Sequence, residues 1–333
     1  MEDILIKNPK LIKLILKLLL LFIRVYCWTR QTKNKERMVA GFFLIPAIFL
    51  LIPTISFELT LLQSFLFQAM LGYGIISIIC ILKRHYRVAI SNFIIYLLLL
   101  MKVNGPLDAT LNIRQGKEQL SVLQFNVLNT NTSYNQTLER IKELNADLIS
   151  FQEVSKVWSE ELESSLKGLY PYYKIVTDAG QGIAIFSKNQ LIDLNVLNWK
   201  GTQNITGKIR VKTEEINFFT LHTRSPTTKA KYVNRNQHLR LIQDYVAEHE
   251  GEFLVLGDFN TVPWDKRLKK FRSSTKLRDS RKRLTPTYPT WNPFFAQIPI
   301  DYIFHSEGIG CDSLSTVKIT SDHKAILGSF LLK

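Results

Sequence analysis

"LVLGDFNTVPWD", residues 254–265, decides how this chain is read. Three apolar residues and a glycine run straight into Asp258, a spacer and Asn260, and Pro263 and Trp264 close the segment. An Asp-x-Asn pair at the mouth of a buried strand aims two polar side chains at one small target. Taken alone the pair has a plain alternative, because both residue types favour turns. The rest of the chain has to choose between the two.

From residue 118 onward the pattern repeats. "QLSVLQFNVLN" (119–129) alternates apolar and polar residues as a strand does and reaches Asn126. "TLERIKELNADLISFQEV" (137–154) reads as an amphipathic helix, a turn at 145–147 and a strand ending at Glu153. "GIAIFSK" (182–188) and "INFFTLHT" (216–223) are further strands, the second reaching His222, and "VNRNQHLRLIQDYVAEHE" (233–250) is helical. "IPIDYIF" (298–304) reaches Asp301, and "SDHKAILGSFLL" (321–332) starts with Asp322 and His323 and runs into a last strand. Strands interleaved with few helices predict a mixed-sheet α/β sandwich. Asn126, Glu153, His222, Asp258, Asn260, Asp301, Asp322 and His323 all fall at or near strand ends, where a packed sheet builds its sites.

The first third is different in kind. Residues 38–56 and 59–82 carry no charge, and 88–103 is interrupted only by Lys102. A bilayer core takes about 20 apolar residues per helix, so three spans are expected at about 38–56, 59–82 and 88–103. The third reaches about 16 residues if Lys102 snorkels and Val103 is counted. Ahead of them, residues of about 8–28 form an apolar helix with a narrow stripe of Lys10, Lys13, Lys17 and Arg24, suited to lying in the interface. Residues 1–105 hold 13 lysines and arginines against 4 acids, and the remainder 30 against 24, so the +15 surplus is concentrated around the apolar runs. That points to anionic lipid before nucleic acid. The basic loops at 30–37 and 83–87 place themselves in the cytoplasm, and three crossings put everything after about 103 on the other side. Residues 1–105 are thus a membrane region of a multi-pass protein, 106–117 a linker and 118–333 a separate domain with an extracytoplasmic location. Cys27, Cys80 and Cys311 form neither a metal spacing nor a disulfide framework.

"QFNVLN", "SFQEV", "TLHTRSP", "LVLGDFNTVPWD", "IPIDYIF" and "TSDHKAI", in this order, resemble the endonuclease/exonuclease/phosphatase superfamily, and with the apolar spans its bacterial membrane-anchored members. The resemblance covers about two thirds of the chain. It implies a four-layer sandwich, two mixed β-sheets face to face with helices outside, and metal-dependent hydrolysis of a phosphoester by activated water. It also implies Mg²⁺, or Mn²⁺, held by Glu153 with Asn126 and Asp322. Asp258 would orient or deprotonate the water, and Asn260 would hold a phosphate oxygen. His222 and His323 would donate to the developing charge, with Asp301 keeping His323 protonated. Some nuclease members place a second acid two residues after the first asparagine; here that position is Leu128.

The substrate does not follow from the fold. Lipid headgroups or small phosphoesters are one expectation. A membrane-tethered nuclease is the alternative, and a non-catalytic binding module a third. The stretch 265–283 is dense in lysine and arginine and reads as a solvated basic loop, a nucleic-acid contact or a headgroup contact. Trp264, Tyr288, Trp291, Phe294 and Phe295 are core residues, pocket lining or a lipid-facing set.

Overall fold

The computed structural model describes residues 35–105, 118–177 and 182–332, together with Lys17 and Leu20. The chain divides into two compact units, Met1–Gly105 and Pro106–Lys333. The expected linker at 106–117, and all but two residues of the expected helix at 8–28, lie outside the described residues.

In the first unit the described residues from 35 onward form four helices: α1 (Lys35–Leu51), α2 (Phe57–Ser64), α3 (Leu66–Leu82) and α4 (Tyr86–Asn104). α1 contains Pro46 and ends at Leu51, short of the expected 56, because Pro53 has no backbone N–H to carry the helix on. The expected span at 59–82 is broken at Phe65, and α2 and α3 bend by 57° there. Among the described residues α4 is long and apolar enough to cross a membrane, and the bent α2–α3 pair passes the same test if it counts as one span. Lys102 does not snorkel. Its Nζ turns inward and donates to the carbonyl oxygens of Leu50 at 2.7 Å and Ile52 at 2.9 Å, and to Gln63 Oε1 at 2.7 Å. A cation on the last carbonyls of α1 meets the negative end of the helix dipole, which solvent would otherwise have to satisfy. Meanwhile Ile45, Ile78 and Ile90 point outward, each about three-fifths exposed.

The second unit is built on two six-stranded sheets. The strands are β1 (Glu118–Asn126), β2 (Leu148–Gln152), β3 (Tyr172–Val176), β4 (Ile183–Ser187), β5 (Gln190–Trp199), β6 (Thr202–Val211), β7 (Glu214–His222), β8 (Phe253–Asp258), β9 (Arg278–Asp279), β10 (Asp301–His305), β11 (Gly310–Lys318) and β12 (Lys324–Leu332). One sheet has the order β11-β12-β1-β2-β4-β3 and the other β5-β6-β7-β8-β10-β9. The neighbours β1/β2 and β7/β8 are parallel, and the other pairs are antiparallel. A parallel pair needs a long crossover. Helices α5 (Tyr134–Leu144) and α7 (Lys229–Glu248) supply the two crossovers, and α6 (Lys156–Leu166) and α8 (Lys266–Thr275) complete the outer layers.

Strand parity sorts the side chains into layers. Leu120, Val122, Phe218, Leu254, Leu256 and Ile303 fill the space between the sheets. Their odd-numbered or even-numbered opposites face outward: Leu123, Phe125, Ile149 and Phe151 pack with Ile141, Trp158 and Leu162, while Phe219, Leu221 and Val255 pack with Leu239, Ile242, Leu268 and Phe271. Fully burying a Leu, Ile or Phe side chain is worth about 1.5–3 kcal/mol, so three such layers hold the sandwich. The α/β four-layer architecture is as the sequence implied.

Three local readings change. α6 and α8 were not legible as helices, and α8 occupies the basic stretch read as a loop. Asp279 and Arg281, within that stretch, are wholly buried against each other, with Arg281 Nη2 donating to Asp279 Oδ2 at 2.6 Å, so these charges belong to the interior. Asp301 opens its strand instead of ending it. Because β10 is antiparallel to β8, and β12 to β1, the first residues of β10 and β12 arrive at the rim where β1, β2, β7 and β8 end.

Candidate active site

The same parity that builds the inner core builds the site. Leu254 and Leu256 face the space between the sheets, so Asp258, two further along, does too; Phe218 sets His222 on that face by the same count, Ile303 sets Asp301, and Val122 sets Gln124 and Asn126. Register then aligns them. His222 pairs with Asp258 across β7/β8, and Asp258 with Asp301 across β8/β10. In the facing sheet Asn126 pairs with Gln152, directly before Glu153. Where the apolar layer stops, these side chains close one end of it.

The backbone is specialised at three of these points. Gly257 has φ 148°, and a Cβ there would lie 2.0 Å from the carbonyl oxygen of Leu221, so only glycine lets β8 approach β7 this closely. Asn260 sits at φ 47° and Glu153 at φ 60°. The left-handed region is familiar for asparagine and uncommon for glutamate, and such backbones cluster at functional sites.

The polar contacts divide into two groups. In the first, Asn126 Nδ2 donates to Glu153 Oε1 at 3.0 Å and to Asp258 Oδ2 at 3.3 Å, while its Oδ1 accepts from Leu128 N at 3.0 Å. Asn129 N donates to Glu153 Oε2 at 3.3 Å. Asn126 therefore holds two carboxylates in place and keeps one lone pair of its own oxygen. Asp258 Oδ1 accepts from Asn260 N at 2.8 Å, and Asn260 Nδ2 donates to Thr223 O at 2.9 Å. In the second group, His323 Nδ1 lies 2.8 Å from Asp301 Oδ2. Between the groups, Asp258 Oδ2 is 3.6 Å from His222 Nε2 and 3.8 Å from His323 Nε2, and Glu153 Oε1 is 3.8 Å from His222 Nε2. Asp258 stands at the centre of a ring of expected site residues. Asp322 lies at the edge, half-buried, with Oδ1 accepting from Ser321 Oγ at 3.2 Å.

Burial sets the charge states. The Asp258 carboxyl is raised well above the usual carboxylate range, first by desolvation and then by Asp301, with His323 opposing. Asp322 is raised mainly by burial. His222 is lowered, because burial outweighs the attraction of Glu153. For His323 burial works downward as well, but the Asp301 carboxylate more than offsets it and the imidazole is pushed up to about 10. At neutral pH the rim thus presents a neutral histidine and a protonated one on either side of Asp258.

Sequence reasoning missed several supporting residues. Gln124 Nε2 donates to Asp301 Oδ1 at 3.1 Å and to Gln152 Oε1 at 2.7 Å, so both oxygens of Asp301 are engaged. Ser150 and Thr220 are hydrogen-bonded to each other beside Gln152, tying the sheets together under the site. Gln124 and Thr220, polar residues two positions before Asn126 and His222 on an otherwise apolar inner face, were the available signal. Arg235, wholly buried in α7, donates from Nη1 to Asn260 O at 3.1 Å and lies 3.6 Å from Asp265 Oδ2. The Tyr288 ring rests 4.7 Å from the His323 ring.

The donor set suits a hard divalent cation. Glu153 and Asp258 each bring a carboxylate oxygen within 4 Å of His222 Nε2, Glu153 also raises the Asp322 carboxyl, and among the described residues no lysine or arginine pairs with the three. Such oxygens fit Mg²⁺ or Mn²⁺. Asp258, Asp301 and His323 also bring one ligand atom each within 4.8 Å of one another. Asp301 and His323 are already a hydrogen-bonded pair, however, and a protonated imidazole is no ligand. Glu153, held by Asn126 Nδ2 at 3.0 Å and free of such a histidine hydrogen bond, is the better-suited carboxylate.

Comparison with known proteins bears on the family and the fold. A family model described as "Endonuclease/Exonuclease/phosphatase family" matches residues 123–323. No curated protein matches. Among solved structures, zebrafish (D. rerio) TDP2 complexed with a single-strand DNA product is similar at TM-score 0.55 and 16% identity, covering 64% of this chain and 98% of that one. The mannosyl-6-phosphatase of Bacteroides thetaiotaomicron is similar at TM-score 0.53 and 18% identity, covering 64% and 100%. An endonuclease/exonuclease/phosphatase of Beutenbergia cavernae is similar at TM-score 0.53 and 14% identity, covering 65% and 72%. At such identities the likeness is one of fold.

Proposed function

The chain belongs to the endonuclease/exonuclease/phosphatase family, and from that premise we propose that it is a membrane-anchored, Mg²⁺-dependent phosphoester hydrolase acting on lipid headgroups or small phosphoesters. Family members are hydrolases of phosphoesters that use divalent metals. The observation that carries the reading is Asp258 flanked by His222 and His323 at 3.6 and 3.8 Å, with Glu153 within reach of the same histidine.

Each role follows from a contact. Asp258, buried and raised in pKa, is suited to take the proton of an attacking water. Asn260 commits one amide N–H to Thr223 O and offers the other to a phosphate oxygen. His323, its Nδ1 proton on Asp301, turns Nε2 toward Asp258 and can donate to charge developing on the phosphoryl oxygens. His222, neutral, donates from the opposite side. Glu153, with Asn126 and Asp322, would hold the cation, which when bound shields the phosphate charge and polarises it.

Anchoring and an extracytoplasmic active domain are part of the same proposal. They are supported by the basic loops at 30–37 and 83–87 and by the outward-facing apolar side chains of α4. The test is hydrolysis by the purified chain, with and without Mg²⁺ or Mn²⁺, of a generic phosphodiester, a phosphomonoester, a phospholipid panel and DNA. Metal-dependent turnover lost in Asp258→Ala and His323→Ala is the expected result. Cleavage confined to DNA, falling steeply with salt, would favour a tethered nuclease instead. A folded chain that neither turns over substrate nor binds metal would leave a binding module.

A further inference from the structure

Between β9 and β10 the chain carries three large apolar rings into solvent. Trp291 is 60% exposed, Phe294 52% and Phe295 58%, the last two on a short 3-10 turn, Phe294–Ala296. Single exposed apolar residues need no explanation, but three rings within five positions form a patch. The loop that bears them is firmly built. Thr290 N donates to Asp322 O at 2.9 Å and Thr290 Oγ1 to Ser321 O at 2.6 Å. Tyr288 and Ile298 pair across its base, and Gln297 Nε2 donates to Asn292 O at 2.5 Å.

Its rings also lead back to the site. Trp291 meets Tyr288 edge-on with centroids 6.1 Å apart, and Tyr288 lies 4.7 Å from His323. A cation accompanies them: Lys324 Nζ is 5.8 Å from the Phe294 ring centre, and Lys318 is its register partner across β11/β12. The patch therefore combines apolar rings, a basic rim and direct attachment to the segment that bears His323.

We propose that this loop docks on a phospholipid bilayer, with Trp291, Phe294 and Phe295 entering the interfacial region while Lys324 and Lys318 meet the phosphate headgroups, so that a lipid phosphoester is presented to His323. The proposal rests on the hydrolase reading above and names its substrate class. Bare phenyl rings have no polar edge and gain from an apolar medium, whereas tryptophan favours the membrane–water boundary. A single-stranded nucleic acid would need flat platforms for successive bases. Here the Trp291 and Tyr288 planes cross at 70°, and Phe294 and Phe295 are consecutive on a tight turn, which gives a wedge.

The experiment uses the full chain reconstituted into phosphatidylcholine–phosphatidylglycerol vesicles, with or without bromine on the acyl chains. Subtracting the emission of Trp291→Phe from that of the wild type isolates Trp291. The expected result is quenching of that component by acyl-chain bromine and protection from aqueous acrylamide. Exposure to acrylamide with no bromine quenching overturns the proposal, as does protection that appears only on adding a single-stranded oligonucleotide. In a second arm, the triple variant Trp291→Ala, Phe294→Ala, Phe295→Ala should lose about a hundredfold in kcat/KM on vesicle phospholipid and keep its activity on a soluble phosphodiester. Equal loss on both substrates overturns the docking role. A wild type inactive on both refutes the hydrolase reading, and the fluorescence arm still decides the loop.

Discussion

Replacing Asp301 by Asn removes one charge without changing the shape of a wholly buried side chain. Asp301 Oδ1 accepts from Gln124 and Oδ2 from His323. An asparagine that keeps its oxygen on Gln124 turns its amide N–H toward His323 Nδ1, which must then accept and give up its proton. The rise of His323 from 6.5 to about 10 corresponds to about 5 kcal/mol of net preference for the charged ring, left after burial has opposed it, and Asp301 is the largest source of the attraction. If roughly 3–4 kcal/mol of this acts on the developing phosphoryl charge, kcat falls about 10²–10³-fold at pH 7. Folding stability carries the same signature. A raised histidine pKa contributes stability that is fully present below about 6.5 and is lost as pH rises through about 10. The gap in unfolding free energy between wild type and Asp301→Asn should be widest near pH 6 and shrink toward pH 10. The assays are kcat on a soluble phosphodiester and denaturant unfolding, both across this range. A variant within about threefold of wild-type kcat, or a stability gap that does not change with pH, would refute the role given to the pair.

Chelation should abolish turnover, and added Mg²⁺ or Mn²⁺ should restore it in the wild type; in Glu153→Gln restoration should require at least about tenfold more metal, measured by metal titration of the rate. Gly257→Ala should fail to fold or lose more than about 3 kcal/mol, measured by denaturant unfolding, because its Cβ meets the Leu221 carbonyl at 2.0 Å. Arg235→Met leaves Asp265 buried beside an apolar chain and Asn260 O without its donor. It should cost about 3–5 kcal/mol of stability and lower kcat, with Arg235→Lys recovering part of the first and less of the second. Phe259→Ala, in the layer under α8, should cost about 3–5 kcal/mol in the same unfolding assay.

Much of the site was legible because strands announce their period. Asp258 follows Leu254 and Leu256 at steps of two, and His222 follows Phe218 in the same way, so their common face could be read from a single strand each. Glu153 was read as the last strand residue and is one position past it, held at φ 60°. Asp301 was read at a strand end and lies at a strand start; direction does not show in an apolar alternation, and only pairing with β8 reveals it. The aromatic set split three ways. Trp264 is core, Tyr288 lines the site, and Trp291, Phe294 and Phe295 are exposed, a difference that composition does not carry.

By itself the sequence determined the α/β sandwich, its membership through six ordered segments, and the identity of the polar residues at the strand ends, because local periodicity and residue chemistry are properties of the chain. Only the tertiary structure decided which atoms meet. Gln124 reaches Asp301 across 177 positions, Arg235 holds Asn260 from a separate helix, and Lys102 caps α1 of the other unit instead of reaching for water. Those contacts satisfy buried donors and acceptors, and their partners are chosen by sheet pairing and layer packing, distances that no local pattern encodes.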